Sequence, residues 1–216
     1  MKALIFDIDG TLWDTRQIVA KGYNIELSRM GRPDLFVTAD TLTALFGKTA
    51  QAIADVIFAD YPAQARLGLI MNCMESERQV LRDDPCQVGY PGVKDTLLEL
   101  SGQYRLFLVS NCEQGYPEIM MEKLGLEKLF EGHLCHGDTG LPKGDTIRLL
   151  MDRFALTDAL YIGDTQGDLE ASRRAGIPFI FCGYGFGQPE SWDARIDDFR
   201  QLPALLNAHG FSDHNT

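Results

Sequence analysis

Lys2-Ala3-Leu4-Ile5-Phe6-Asp7-Ile8-Asp9-Gly10-Thr11 is the stretch on which the fold turns. An apolar run without polar alternation fits a parallel strand buried on both faces. The run ends in an acid. Asp7 and Asp9 stand two apart as the chain leaves the strand, so with period-2 alternation both side chains can point to one side. Gly10-Thr11 allows a sharp turn immediately afterwards.

Four later runs repeat the pattern: Arg105 to Val109, Gly132 to His136, Ala159 to Ile162 and Pro178 to Cys182. Helical patterns separate them. One opens at Pro91-Gly92 and runs to about Gly102, and another carries Pro117 near its first turn, where the missing N–H costs little. Lys143 to Phe154, Gln166 to Ala175 (stopped by Gly176) and Leu202 to Ala208 follow. Strands alternating with helices predict an α/β fold with a doubly wound parallel sheet. Fraying is expected over His209 to Thr216.

The segment after Asp14 reads differently. Arg16 to Met30 is helical, with Ile18, Val19, Tyr23, Leu27 and Met30 near one face. Ala39 to Phe46, Thr49 to Phe58 and Pro62 to Arg82 continue the helical signal. No strand pattern occurs between 15 and 85. An all-helical domain over 15–85 is therefore expected inside a discontinuous α/β core of 1–14 and 86–216.

The 216 residues are 45% hydrophobic and 24% charged, ordinary for a globular protein. No apolar run is long enough to span a bilayer. The apolar start before Asp7 is too short for a signal peptide. The five cysteines, Cys73, Cys86, Cys112, Cys135 and Cys182, show no C-x-x-C spacing, so we read them as reduced thiols of a cytoplasmic protein. A formal net charge of −11 argues against nucleic-acid or membrane partners. Attraction of an anionic substrate must then be local.

Ligands of such sheets bind beyond the carboxyl ends of the strands. Asp7, Ser110 and Asp164 are all expected there. One carboxylate of the Asp7/Asp9 pair could attack phosphorus and the other transfer protons; taken alone, the pair equally fits a solvated acidic turn. Asp164 and Asp168 add two more acids. Four carboxylates at one edge would raise each other's pKa values, and a divalent cation relieves this. Oxygen ligands favour Mg²⁺. Taken alone, the second pair also fits acids complementing a helix dipole.

Ser110 and Asn111 offer a hydroxyl and N–H groups for phosphate oxygens, or else a simple turn. Lys143 at a helix start opposes the macrodipole and calls for an anionic partner, unless it is a solvated surface lysine. The conjunction of all four pieces, in order and at strand ends or helix starts, favours phosphoryl transfer.

In these motifs the chain resembles the phosphatase branch of the haloacid dehalogenase superfamily, over residues 1–15 and about 89–187. The resemblance implies a nucleophilic Asp7, a general acid/base at Asp9, phosphate binding by Ser110 with Asn111 beside it, and charge stabilisation by Lys143. It implies Mg²⁺ held by Asp7, the Asp9 backbone carbonyl and Asp164, with Asp168 in support. The helical insertion would be a mobile cap. The dehalogenases lack the second acid, so Asp9 points away from carbon–halogen chemistry. Asp9-Gly10-Thr11-Leu12-Trp13-Asp14 matches the pattern of phosphoglycolate phosphatase-like members. Gly144 departs from the proline common after the lysine.

The expected activity is Mg²⁺-dependent hydrolysis of a small phosphorylated metabolite, by a monomer or homodimer. A phosphomutase of the same superfamily is the alternative. A non-catalytic binding protein on this scaffold is a third reading, disfavoured by the intact acids.

Gly47-Lys48-Thr49 mimics the end of a P-loop, but Leu42 occupies the place of the required glycine and no strand precedes it. By resemblance to capped relatives Lys48 would contact substrate; the competing reading is a solvated lysine. Gly183, Gly185 and Gly187 read as a plain loop. Cys135-His136-Gly137-Asp138 reads as a strand-end turn. Cys112 reads as a buried, inert thiol.

Overall fold

The structure is a computed structural model that describes residues 2–208. The expected fraying of 209–216 lies outside these residues. The chain divides into two compact units, Met1–Trp13 with Gly89–Thr216, and Asp14–Val88. In chain order the elements are β1 (Ala3–Phe6), α1 (Arg16–Arg29), α2 (Ala39–Thr43), α3 (Ala50–Ile57), α4 (Ala63–Asp83), α5 (Val93–Leu100), β2 (Arg105–Ser110) and α6 (Tyr116–Leu124). Then come β3 (Gly132–Cys135), α7 (His136–Thr139), α8 (Lys143–Arg153), β4 (Ala159–Gly163), α9 (Gln166–Ala175), β5 (Phe179–Cys182), β6 (Ala194–Ile196) and α10 (Leu202–Ala208).

The first unit is built on a six-stranded parallel sheet in the order β3-β2-β1-β4-β5-β6. Phe6 stands opposite Leu108 on one side and Ile162 on the other. All four residues of β1 are fully buried, as an apolar central strand requires. Chain order reverses at β1, and a crevice at the carboxyl ends of the strands is the geometric result.

One face of the sheet carries Ile5, Phe107, Val109, Tyr161 and Phe179. They pack with Ile147 and Leu150 of α8 and Leu169 and Ala171 of α9. The valine, leucine, isoleucine and phenylalanine side chains among them each contribute about 1.5–3 kcal/mol on burial. Gly144 sets how closely α8 and α9 approach: a Cβ there would lie 2.9 Å from the Ala171 carbonyl oxygen.

The second unit contains α1 to α4 and, among its described residues, no strand. Gly22 lets α1 press on α4, since a Cβ would stand 2.6 Å from Glu77 Cα. Ser76 donates to the Gly22 carbonyl at 2.8 Å.

Three readings change. β6 has only three residues with an exposed Arg195 at its centre, too short for a periodic signal. β1 stops at Phe6, so alternation does not set the direction of Asp9. Instead Ile8 O accepts from the N–H groups of Thr11, Leu12 and Trp13, forming a tight turn with Gly10 at φ +80°. Cys135-His136-Gly137-Asp138 is not a simple turn: it enters the short helix α7, with Asp138 Oδ2 accepting from Cys135 N–H at 3.0 Å.

Candidate active site

The elements that end at the carboxyl edge of the sheet deliver four charged groups to one buried point. Asp7 follows β1, and its N–H donates to the Ile162 carbonyl at 2.9 Å, which extends the β1–β4 ladder by one residue. Asp164 follows β4. Asp168 lies in the first turn of α9, and Lys143 opens α8. All four are buried.

Lys143 Nζ donates to Asp7 Oδ1 at 2.7 Å and to Asp168 Oδ1 at 2.6 Å. The two anionic partners resolve its unfavourable place at a helix start. Asp168 Oδ2 accepts from the Asp164 N–H at 3.1 Å, the Thr165 N–H at 2.9 Å and the Thr165 hydroxyl at 2.7 Å. Thr165 in turn caps α9 by accepting from the Asp168 N–H. Both oxygens of Asp168 are therefore engaged, which makes it a fixed brace for Lys143.

Asp164 is held from three sides. Phe186 N–H donates to its Oδ2 at 2.7 Å, and the Thr11 hydroxyl lies 3.4 Å from Oδ1. Gly10 and Gly185 wall it in, since a Cβ on either would come within 2.2–2.3 Å of its side chain. Tyr184 ties the same loop down by donating to the Thr11 carbonyl at 2.7 Å.

One ammonium cannot balance three buried carboxylates. Burial, reinforced by the Asp168 charge and opposed by Lys143, pushes Asp7 up to about 6. Burial and the Asp168 and Asp7 charges push Asp164 well above the carboxylate range. Burial also works against ionised Asp168, but the charge and hydrogen bonds of Lys143 and Thr165 outweigh it and leave its pKa lowered. Burial opposes the Lys143 ammonium too, and Asp168 and Asp7 overcome it.

Asp7, Asp164 and Asp168 each offer an oxygen within 4.8 Å of the others. Asp7 Oδ2 is buried with no hydrogen-bond partner. A buried acceptor left unmatched beside a crowd of negative charge is what a hard cation would satisfy. The donor set, all oxygen, fits such an ion.

Of the four expected carboxylates, three form this cluster. The Asp9 carboxylate is not in that group, and its Oδ1 accepts from Trp13 Nε1 at 2.8 Å and from the Tyr116 hydroxyl at 2.8 Å. Ser110 ends β2, buried, beside Cys135 in the sheet register. Asn111 follows it, half-buried. Cys112 is only half-buried by exposure, yet burial of its thiol and contact with Cys135 raise its pKa well above the ordinary thiol value. Lys48 lies in the second unit, exposed, in the turn that precedes α3.

Sequence reasoning missed Tyr116 and the Gly183–Gly187 loop. Phe186 contributes through its backbone, which leaves no residue-type signature. The density of glycines was the available signal.

The model of the haloacid dehalogenase-like hydrolase family matches residues 4–182, most of the chain and every member of the cluster. The chain belongs to the haloacid dehalogenase-like hydrolases. This hydrolase is 29% identical to the phosphoglycolate phosphatase of Aliivibrio fischeri over 227 residues, covering 96% of this chain and 97% of that one. It is 30% identical to the phosphoglycolate phosphatase of Xanthomonas campestris over 205 residues, covering 90% of each. The crystal structure of a predicted phosphoglycolate phosphatase from Haemophilus somnus shares the fold, with a TM-score of 0.81 at 23% identity over 95% of this chain and 97% of that one. Family and relatives make the hydrolase a phosphatase enzyme. Among the described residues no helix is long and apolar enough to cross a membrane.

Proposed function

We propose that this hydrolase cleaves a small phosphomonoester through an aspartyl-phosphate on Asp7, with Mg²⁺ as its metal. The carrying observation is the Lys143 ammonium bridging Asp7 at 2.7 Å and Asp168 at 2.6 Å next to the Asp164 carboxylate. That arrangement concentrates cationic demand at one carboxylate whose second oxygen has no partner.

The ionised Asp7 carboxylate attacks phosphorus as the bond from phosphorus to the ester oxygen breaks. Asp9 supplies a proton to that oxygen. It then takes one from the water whose attack on phosphorus releases Asp7 and inorganic phosphate. Lys143 keeps Asp7 ionised and offsets charge on the transferring group. The Ser110 hydroxyl and Asn111 bind its oxygens.

Asp7, Asp164 and the Asp9 backbone carbonyl would hold Mg²⁺, with Asp168 bracing Lys143 from outside. A bound ion would supply neutralisation of the carboxylates and of the phosphoryl oxygens. By resemblance to capped relatives, the helical insertion of 15–85 would serve as a cap that excludes bulk water, and Lys48 would contact substrate. Likeness to phosphoglycolate phosphatases over nearly the full chain supports a substrate of that class, a small phosphorylated carboxylic acid.

The test is phosphate release from 2-phosphoglycolate, sugar phosphates and nucleoside monophosphates, with Mg²⁺ and with chelator. Release that needs Mg²⁺ and vanishes in Asp7→Asn is expected. Isomerised sugar phosphate without free phosphate, or full turnover in Asp7→Asn, would overturn the proposal.

A further inference from the structure

The geometry points to Tyr116 and Trp13 as positioning residues that fix which oxygen of Asp9 carries the transferred proton. This rests on the phosphatase reading, in which Asp9 protonates the leaving oxygen.

Both residues donate to the same atom. Trp13 Nε1 and the Tyr116 hydroxyl each stand 2.8 Å from Asp9 Oδ1. The donors come from separate parts of the unit, one just after β1 and one at the start of α6. Trp13 is fully buried and Tyr116 is 6% exposed. Their rings meet edge to face, with centroids 5.4 Å apart at 75°. Gly115, at φ +89°, turns the chain so that Tyr116 opens α6. Trp13 is fixed by its backbone, accepting from the Gly10 N–H at 3.0 Å and bridging to Gly89.

A protonated carboxyl has one hydroxyl oxygen and one carbonyl oxygen, and the carbonyl oxygen is the better acceptor. Indole N–H has no lone pair to offer, so it can only donate. Two donors on Oδ1 assign it the acceptor role and put the proton of the acid on Oδ2. In the first half-reaction the Oδ2–H bond breaks, its proton forms the new O–H bond of the leaving alcohol, and the electron pair stays on the Asp9 carboxylate. In the second half-reaction Oδ2 takes a proton from the attacking water. The carboxylate charge that appears during the first transfer falls partly on Oδ1, where the two hydrogen bonds strengthen. The donors therefore stabilise the transition state more than the ground state.

Such a role predicts an effect graded by leaving group. A good leaving group departs with little protonation, whereas a poor one needs the proton. The experiment is kcat and KM of the full-length enzyme with Mg²⁺ on a series of 4-nitrophenyl, phenyl and 4-methoxyphenyl phosphates. Tyr116→Phe keeps the ring packing and removes one donor. It should lower kcat on phenyl and 4-methoxyphenyl phosphate by about 10–100-fold, with 4-nitrophenyl phosphate within about threefold and KM nearly unchanged. Adding Tyr116→Phe to Asp9→Asn should cost nothing further, because Tyr116 acts through Asp9. Equal losses on all three esters, no loss on any, or additive losses in the double variant would overturn the assignment while leaving the phosphatase reading standing. Absence of phosphate release by the unaltered enzyme from every ester would overturn both.

Discussion

Lys143 and Asp7, 136 positions apart in the chain, meet across 2.7 Å with side chains 4% and 1% exposed. The contact links the start of α8 to the end of β1, and Asp168 completes it from α9. Replacing Lys143 by Met would leave Asp7 and Asp168 buried without their counter-charge. Loss of one partner from a buried pair costs about 3–5 kcal/mol. We expect a denaturation midpoint lowered accordingly in metal-free buffer, together with loss of turnover. A variant as stable as the parent would show that the ammonium is dispensable to the fold.

Asp7→Asn should behave in the opposite way on stability. Burial and the Asp168 charge make the ionised form costly, so the neutral isostere relieves repulsion even though it weakens one bond to Lys143. Turnover should fall by about 10³-fold or more, the scale of losing a nucleophile. The melting temperature of the metal-free protein should stay level or rise. Retained turnover would remove Asp7 from the nucleophile role.

These two residues also show what the sequence made legible. A lysine at a helix start is electrostatically misplaced, which left open an anionic partner or a solvated side chain; Asp7 and Asp168 are the partners. The uninterrupted burial of β1 followed from its apolar run. What escaped detection was held by backbone or by packing. The Phe186 N–H on Asp164, the Tyr116 hydroxyl on Asp9 and the Gly144 contact with α9 arise from tertiary proximity, which local periodicity does not encode. The expected alternation through Asp9 failed because the Ile8 turn ended the strand first.

The crowded carboxylates predict a stabilising response to metal. A ligand at a hundred times its Kd stabilises by about 2.7 kcal/mol, which corresponds to roughly 5–10 °C for a chain of this size. We expect Mg²⁺ to raise the melting temperature and chelator to reverse it. Asp164→Asn should shift half-activation to at least about tenfold higher metal, since losing even an outer partner of a metal site costs that much. Coincident metal titrations of the two proteins would exclude Asp164 as a ligand.

Asp193 gives a pH dependence away from the site. Burial would raise its pKa, but the Phe179 N–H at 2.7 Å and the Arg173 guanidinium outweigh this and hold it below the ordinary value. A depressed native pKa means that the unfolded chain binds more protons as acid is added. The stabilisation is complete above pH about 4 and is lost as pH falls through the native value. Asp193→Ala should cost about 1 kcal/mol at neutral pH, discounted for its partly solvated pair. The gap between parent and variant should narrow as pH falls below the ordinary carboxylate value. An equal gap at neutral and at acid pH would mean that packing, not the carboxylate, accounts for it.

Gly185→Ala tests whether the glycine loop shapes the proposed metal site. The new methyl would stand 2.3 Å from Asp164 Cβ and 2.6 Å from both Asp164 Oδ2 and the Gly10 carbonyl. Gly10 blocks retreat on the far side, because its own Cβ direction points at the same carboxylate. The loop must therefore move away, and the Phe186 N–H bond to Oδ2 goes with it. Overpacking of this kind costs about 1–3 kcal/mol. Half-activation by Mg²⁺ should rise about tenfold. Gly68→Ala, at an exposed position of α4 with nothing within 4 Å of the added Cβ, serves as the control and should stabilise slightly. If Gly185→Ala titrates with metal like Gly68→Ala, the loop does not hold Asp164 in place.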